Sequence, residues 1–299
     1  MNIIFMGTPD FAVPSLKALV EAKHNILAVY SQPDKPKGRG HKMQYTPVKE
    51  YALSQGLEVV QPITLKDEDV QNDIRNLNPD CIVVVAYGKL LPKAVLDIPK
   101  KGCINVHGSL LPKYRGAAPI QWAVLNGDKT TGVTTMFMAQ GMDTGDMLLK
   151  TETNIGINET SGELFDRLKD IGADLLIKTL GDLDNIISEK QDESLASHAP
   201  MISKDMASLD FNKTADELKS QINGLNPWPS AVCEINGNIL KIHKADVLEL
   251  CGTAGKFFNN KGKLCVYCKE NALELTEVQA QGKKRMDGKS YLLGHPITD

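Results

Sequence analysis

An amide and an imidazole two residues apart mark the part of this sequence that is best suited to chemistry. Asn105 and His107 lie at the end of an apolar run, residues 102–107, and Gly108 follows them. Side chains two positions apart on a strand project from the same face, so both polar groups can approach one reacting atom. A histidine in such a run can also simply satisfy a buried carbonyl, with the asparagine capping a turn. The next loop is rich in turn-forming glycine and stiffening proline, which favours a preformed pocket over that alternative.

A glycine-flanked acidic turn, residues 141–146, is the second candidate for chemistry. It follows a predicted strand that ends near Met138, and it carries two carboxylates, Asp143 and Asp146. The same residues could form a simple hairpin with solvated acids, or half of a cation site. The residue types alone do not favour one of the two acids over the other.

A doubly wound, mostly parallel sheet must position these residues, because short β-rich runs alternate with helical patterns through the first half of the chain. In open α/β sheets ligands bind beyond the carboxyl ends of the strands, which is where Asn105 and His107 lie. The predicted strands cover residues 2–6, 26–30, 81–86, 102–107, 133–138 and 147–151. The predicted helices begin after residue 9, at Pro47 with Thr46 as its cap, and at Ser161.

The composition changes after the helix that begins at Ser161. Residues 189–198 are polar and nearly devoid of large apolar side chains, which is typical of a linker. Thr214 and Glu217 then form a capping-box pattern, and Asn236-Gly237 is a strong hairpin signal. Further short strands are predicted at 264–267, 273–278 and 291–293. We therefore expect a Rossmann-like α/β domain at 1–188, a linker at 189–205 and a small antiparallel, OB-like β-barrel at 206–299.

Charge, motifs and cysteines exclude several classes of function. The net charge of -3 over 299 residues argues against a protein coated in basic charge for non-specific nucleic-acid binding. The first βα turn, residues 7–11, lacks G-x-G-x-x-G and no P-loop lysine follows, so nicotinamide and ATP chemistry lose support. Cys265 and Cys268 have C-x-x-C spacing, but no second pair accompanies them, so no metal is expected. No secretory signal or membrane span is apparent, and we expect a cytoplasmic protein.

A basic loop, residues 32–45, separates the second predicted strand from its helix and is longer than such a connection needs. From Pro33 to Lys42 it holds four Lys or Arg residues against one acid. Such a run can be a solvated, flexible loop. It can also contact phosphates, either by closing over a ligand or by entering a nucleic-acid groove.

Several blocks along nearly the whole chain resemble the methionyl-tRNA formyltransferases. They are MGTPDFAVPSL at 6–16, QPDKPKGRG at 32–40, AYGKLLP at 86–92, NVHGSLLPKYRGAAPIQWA at 105–123, GMDTGDML at 141–148, NPWP at 226–229 and GKKRM at 282–286. The NVHGSLLP and DTGD blocks are shared with other enzymes that use 10-formyltetrahydrofolate. The first block, the basic loop and NPWP narrow the resemblance to the tRNA enzymes. Asn223 and Phe211 depart from the arginine and tryptophan that are common in the family, at positions away from the chemistry.

The resemblance implies transfer of a formyl group from 10-formyltetrahydrofolate, as co-substrate, to the methionyl amine of initiator tRNA, for the initiation of translation. Asn105, His107 and Asp143 match the family's catalytic trio. The implied folate-binding positions are Ser109, Leu110, Leu111, Pro112, Tyr87 and Gly88, and the implied tRNA-binding positions are Lys37, Arg39 and Lys42. Neither a metal nor a membrane is implied, and the family expectation is a monomer.

Three other functions remain as alternatives. A formyltransferase that acts on a small amine would share the trio and the folate segment, but it would not need the basic loop and the second domain. A folate-hydrolysing enzyme would keep the trio and use water as the nucleophile. A tRNA-binding protein without catalysis would not need the trio, which is intact here.

Overall fold

The computed structural model describes residues 1–37 and 42–297, and of Lys37 and Lys42 only the backbone. The chain divides into two compact units. The first comprises Met1–Gly116, Gly132–Thr153 and Phe165–His198, and the second comprises Ala117–Thr131, Asn154–Leu164 and Ala199–Asp299. Two segments that precede residue 189 thus belong to the second unit. The assignment of residues 189–205 as a linker between linear domains stays a prediction.

Strands and helices alternate along most of the chain and are numbered here in chain order. The strands are β1 (Asn2–Gly7), β2 (Asn25–Tyr30), β3 (Lys35–Lys37), β4 (Lys42–Gln44), β5 (Val59–Val60), β6 (Cys81–Val85), β7 (Cys103–His107), β8 (Arg115–Gly116), β9 (Thr130–Phe137), β10 (Met147–Asn154), β11 (His198–Ala199), β12 (Ala231–Ile235), β13 (Asn238–Leu248), β14 (Phe257–Asn260), β15 (Lys263–Tyr267), β16 (Ala272–Ala280) and β17 (Met286–Asp287). The α-helices are α1 (Val13–Glu21), α2 (Pro47–Ser54), α3 (Glu68–Leu77), α4 (Lys93–Leu96), α5 (Pro119–Leu125), α6 (Ser161–Asp182), α7 (Ala215–Gly224) and α8 (Gly288–Gly294). Short 3-10 helices cover Asp10–Ala12, Glu193–Leu195 and Lys204–Ala207.

A seven-stranded sheet forms the core of the first unit, in the order β10-β9-β7-β6-β1-β2-β5. The pairs from β7 to β5 are parallel, and β9 runs antiparallel to β7. Every residue of β6 and β7 is buried, as expected of parallel strands that are covered on both faces. The predicted mostly parallel, Rossmann-like sheet is confirmed.

Helix starts that were predicted from capping residues are confirmed. The Thr46 hydroxyl accepts a hydrogen bond from the N–H of Lys49, and Pro47 is the first residue of α2. Thr214 and Glu217 form the reciprocal capping box at the start of α7. These caps satisfy N–H groups that have no partner within the helix.

The basic loop, residues 32–45, contains a short antiparallel hairpin. Strand β3 pairs with β4, so that Lys37 lies opposite Lys42 in the register. Half-buried side chains hold the first arm in place, because Lys49 Nζ lies 2.6 Å from one carboxylate oxygen of Asp34, and Gln61 Nε2 donates to the other at 2.9 Å. Arg39 lies outside the described residues.

A six-stranded antiparallel sheet dominates the second unit, in the order β12-β13-β16-β15-β14 with β17 paired to β16. The predicted hairpin is confirmed, since Asn236 and Gly237 connect β12 to β13. Their φ angles of 51° and 75° are those of a type I′ turn. The predicted antiparallel second part is confirmed, and its closure into a barrel stays a prediction. Asn223 is buried in α7, and Phe211 packs edge-on against Phe257.

The strand predicted at residues 291–293 is wrong, because these residues lie in α8. The Asp287 carboxylate caps this helix by accepting hydrogen bonds from the N–H and the hydroxyl of Ser290. Tyr291 and Leu292 are buried, whereas Leu293 is 82% exposed. Asp287, followed three positions later by Ser290, is an N-cap pattern that indicates the start of this helix. None of the helices in the described ranges combines the length and apolarity needed to span a membrane.

Candidate active site

The end of β7 presents the two polar side chains that the sequence singled out. Asn105 and His107 are 9% and 6% exposed, and the alternation of the strand places them on one face. The residues opposite them on β9 are buried as well, with Asn105 opposite Met136 and His107 opposite Thr134. Polar groups are costly to bury in such surroundings unless they are bonded or used.

Two acceptors flank the imidazole ring of His107. Nε2 lies 2.9 Å from the carbonyl oxygen of Tyr114, and Nδ1 lies 3.7 Å from Oδ2 of Asp143. Since a carbonyl oxygen only accepts hydrogen bonds, Nε2 carries the hydrogen. Nδ1 is therefore the ring nitrogen that faces the carboxylate and is able to exchange a proton or bond to a ligand.

The carboxylate of Asp143 faces the His107 ring and is held by a backbone N–H. The N–H of Gly116 donates to Oδ2 at 2.8 Å, and the side chain is 16% exposed. Of the two acids in the turn at 141–146, Asp143 is thus the one beside His107. The three catalytic positions that the resemblance implied are near one another: the Asp143 carboxylate faces the His107 ring, and Asn105 shares a strand face with His107.

Residues with left-handed backbone surround this group. Ala86, Tyr114 and Asp143 have φ angles of 46°, 61° and 53°. Such a conformation costs roughly 1–3 kcal/mol for a residue other than glycine, and strain of this kind clusters at functional sites. Ala86 follows β6, Tyr114 bonds His107, and Asp143 carries the carboxylate, so three of the nine such residues in the described part of the chain lie on segments that shape the site.

The implied folate segment, residues 109–112, is shaped by a threonine that the sequence did not reveal. The Thr134 hydroxyl donates to the carbonyl of Ser109 at 2.7 Å and accepts from the N–H of Leu111 at 3.1 Å. The Ser109 hydroxyl donates to the Lys113 carbonyl, and the Leu111 side chain is buried. The side chains of Leu110 and Pro112 are half-buried and remain open to a ligand.

The other implied folate positions, Tyr87 and Gly88, are largely committed to the protein. The Tyr87 ring is 1% exposed, and burial raises the pKa of its hydroxyl to about 12. Its carbonyl accepts hydrogen bonds from Thr8 Oγ1 at 3.0 Å and from Gln32 Nε2 at 3.2 Å. Gly88 has a φ of 80°, a conformation that favours glycine. A folate contact at this segment would therefore use backbone groups other than the Tyr87 carbonyl.

Three groups around the site were missed from the sequence. Thr134 had a weak signal, because a threonine within an apolar strand has to bond its hydroxyl to something. The Tyr114 carbonyl is backbone and leaves no signal in side-chain chemistry. Gln191, whose Nε2 donates to the Asp143 carbonyl at 2.8 Å, lies in a polar segment that is typical of a linker.

The remaining predicted positions have a simpler description. The side chains of Lys37 and Lys42 are not described, so their contact with tRNA stays a prediction, as does that of Arg39. Cys265 and Cys268 are buried free thiols, and burial raises the pKa of each to about 11. Within residues 1–37 and 42–297, no three His, Cys, Asp or Glu side chains are grouped so as to hold a metal ion.

Comparison with known proteins gives matches over both parts of the chain. Residues 1–180 match the family described as formyl transferase, and residues 201–296 match the formyl transferase C-terminal domain. A methionyl-tRNA formyltransferase of Alkaliphilus oremlandii is 51% identical over 99% of this chain and 97% of its own. One of Caldanaerobacter subterraneus is 48% identical over 100% of this chain and 98% of its own.

Solved structures agree on the fold. An N-formyltransferase of Helicobacter canadensis, in complex with folinic acid and dTDP-3-aminofucose, aligns with a TM-score of 0.71. The alignment covers 91% of this chain and 98% of that one. At 20% identity the likeness shows a shared fold and carries no argument about the substrate.

Proposed function

Because this chain belongs to the methionyl-tRNA formyltransferase family, we propose that it transfers the formyl group of 10-formyltetrahydrofolate to the amino group of methionine on initiator tRNA. The product is the formylated initiator that begins translation. The observation that carries the proposal is the His107 ring held between the Tyr114 carbonyl and the Asp143 carboxylate, with Asn105 on the same strand face.

The reaction develops negative charge on the formyl oxygen. When the methionyl amine attacks the formyl carbon, the carbonyl double bond opens and its oxygen becomes an oxyanion. Asn105 supplies amide N–H donors, and His107 can donate to the oxyanion only from Nδ1, because Nε2 is committed to Tyr114. Each well-placed donor of this kind contributes on the order of 3 kcal/mol.

Proton transfer completes the exchange. The attacking nitrogen becomes positively charged as its bond to carbon forms, and Asp143 accepts the proton that it must lose, directly or through a water molecule. The oxyanion then collapses, the bond from carbon to the tetrahydrofolate N10 breaks, and N10 leaves as an amine after it receives a proton. One proton is removed from methionine and one is gained by tetrahydrofolate, so no metal or redox partner is needed.

The substrates meet the protein at different elements. We assign Leu110 and Pro112 to contact folate through their half-buried side chains, and Thr134 to set the loop geometry. The basic hairpin built from β3 and β4 would meet tRNA phosphates, with Lys37, Arg39 and Lys42 as its contacts. In this assignment residues 1–188 form the catalytic domain, and the protein works as a monomer in the cytoplasm, where charged tRNA is found.

One assay tests the proposal. The enzyme is given 10-formyltetrahydrofolate together with charged initiator tRNA, charged elongator tRNA or free small amines, and formyl transfer is followed. We expect product on the initiator tRNA well above that on the other acceptors. Product on small amines without product on initiator tRNA would instead identify a small-amine formyltransferase, and formate release without any acceptor would identify a folate hydrolase.

A further inference from the structure

Gln191 closes the turn that carries Asp143. Its Nε2 donates both hydrogens, one to the carbonyl of Asp143 and one to the carbonyl of Gly145, each at 2.8 Å. Its Oε1 accepts from Nε of Arg115 at 2.9 Å. The amide is thus bonded at both ends, and its orientation is fixed because only the nitrogen can serve two carbonyl acceptors.

Arg115 connects Gln191 to both sides of the site. Its two terminal nitrogens donate to the two carboxylate oxygens of Glu193 at 2.9 and 2.8 Å, a bidentate pairing that fixes the guanidinium plane. Its chain neighbours are Tyr114, which bonds the ring of His107, and Gly116, which bonds Asp143. Arg115 therefore lies between the two residues whose backbone groups bond His107 and Asp143.

The same two segments also meet through backbone groups. The N–H of Arg115 donates to the carbonyl of Ser197 at 2.8 Å, and the N–H of Tyr114 donates to the Ser197 hydroxyl at 2.9 Å. Residues at both ends of the segment 191–197 thus bind Tyr114 and Arg115. A segment that is polar enough to be predicted as a linker is in fact part of the support of the site.

The turn at 141–146 needs such support. Gly141 and Met142 are exposed, and Asp143 holds a left-handed backbone at a φ of 53°. Gly145 is buried and the Asp146 carbonyl accepts from the N–H of Phe137, so the second half of the turn is anchored to β9. The exposed first half has little packing of its own to keep the neighbouring Asp143 carboxylate in one place. The Gly116 N–H bonds the Asp143 carboxylate, whereas among the described residues Gln191 holds the backbone carbonyls of Asp143 and Gly145 from outside the turn.

We propose that Gln191, oriented by Arg115 and Glu193, is a positioning residue that keeps the Asp143 carboxylate at Nδ1 of His107 during formyl transfer. The proposal rests on the function assigned above. Gln191 bonds the backbone of the turn and not the carboxylate, so it acts through Asp143. Misplacement of a catalytic group by about 1 Å costs on the order of 100-fold in rate, which makes such a support measurable.

The first test is Gln191→Glu, which puts an oxygen of nearly the same shape in front of two carbonyl oxygens. We expect kcat for initiator tRNA to fall about 10- to 100-fold, while KM for tRNA and for 10-formyltetrahydrofolate changes less than about threefold. The matched control is Lys190→Gln, a substitution at the exposed preceding residue, for which kcat should stay within about twofold.

The second test is a double-mutant cycle with Asp143→Asn, which separates positioning from general stability. If Gln191 acts through Asp143, then Gln191→Glu should change kcat less than about threefold in the Asp143→Asn background. If Gln191→Glu lowers the thermal midpoint enough to limit the assay, Arg115→Lys is used instead. This substitution keeps the positive charge and removes the guanidinium that bonds both Gln191 and Glu193. An inactive parent enzyme would refute the proposed function. An active parent with an unaffected Gln191→Glu variant, or with effects that multiply in the double mutant, would overturn the positioning role.

Discussion

The substitution Asp143→Asn tests the central contact of the site with the least change in shape. An asparagine oxygen can still accept the hydrogen bond from the N–H of Gly116, so the turn should keep its conformation. What is lost is the negative charge 3.7 Å from Nδ1 of His107 and the base that takes the proton from the amine. At an effective dielectric constant of about 20, the bare attraction between unit charges at that distance is roughly 4 kcal/mol, which is an upper limit for the charge effect.

We expect kcat/KM for charged initiator tRNA to fall about 100- to 1000-fold, which corresponds to roughly 3–4 kcal/mol of transition-state stabilisation. The measurement is formyl transfer in a single turnover with enzyme in excess, so that product release does not hide the chemical step. Asp146→Asn is the matched control, because it removes the other acid of the same turn, and its rate should stay within about threefold of the parent. A loss of less than about threefold in Asp143→Asn, or an equal loss in both variants, would refute the role that we give to Asp143.

Four further perturbations test other parts of the protein. Thr134→Val leaves the Ser109 carbonyl and the Leu111 N–H without their bonds, so KM for 10-formyltetrahydrofolate should rise about tenfold in steady-state assays; an unchanged KM would show that the loop holds its shape without the hydroxyl. Arg39→Ala should raise KM for tRNA with little effect on folate affinity, and the reverse pattern would place the basic loop over folate. Gly132→Ala would bring a Cβ to 2.1 Å from the Thr151 carbonyl oxygen, so urea unfolding should show a loss of about 2 kcal/mol or more, whereas an unchanged midpoint would mean that the backbone adjusts freely. Burial lowers the pKa of His243 below its ordinary value, so the unfolded chain binds a proton at this residue more readily, and the free energy of unfolding should decrease as the pH is lowered below about 6.5. In urea titrations His243→Gln should make that decrease shallower, and an equally steep decrease would assign it to other groups.

Local patterns were enough for most of the first sheet. β6 is apolar at every position because both of its faces are covered, and a run of that kind cannot be mistaken for a solvent-facing strand. Thr46 with Pro47, and Thr214 with Glu217, announce helix starts because a cap satisfies N–H groups within three residues of itself. The triplet at 291–293 was assigned to a strand because three apolar residues have no clear period, and only the cap at Asp287 identifies the helix.

The sequence by itself determined the strand that carries Asn105 and His107, the face they share and the family to which the chain belongs. All of these depend on residues that are close together in the chain, where periodicity and residue type are informative. Residue types left Asp143 and Asp146 equal and the family resemblance pointed to Asp143, but only the tertiary structure showed that Asp143 faces the ring, that Nδ1 is the ring nitrogen beside it, and that Gln191 bonds the acidic turn. Each of these depends on how loops from distant parts of the chain meet at the end of one strand. Apart from the approach of the Asp143 carboxylate to His107, the contacts are with backbone carbonyls and N–H groups, which nearly every residue has and which therefore leave no mark in the sequence.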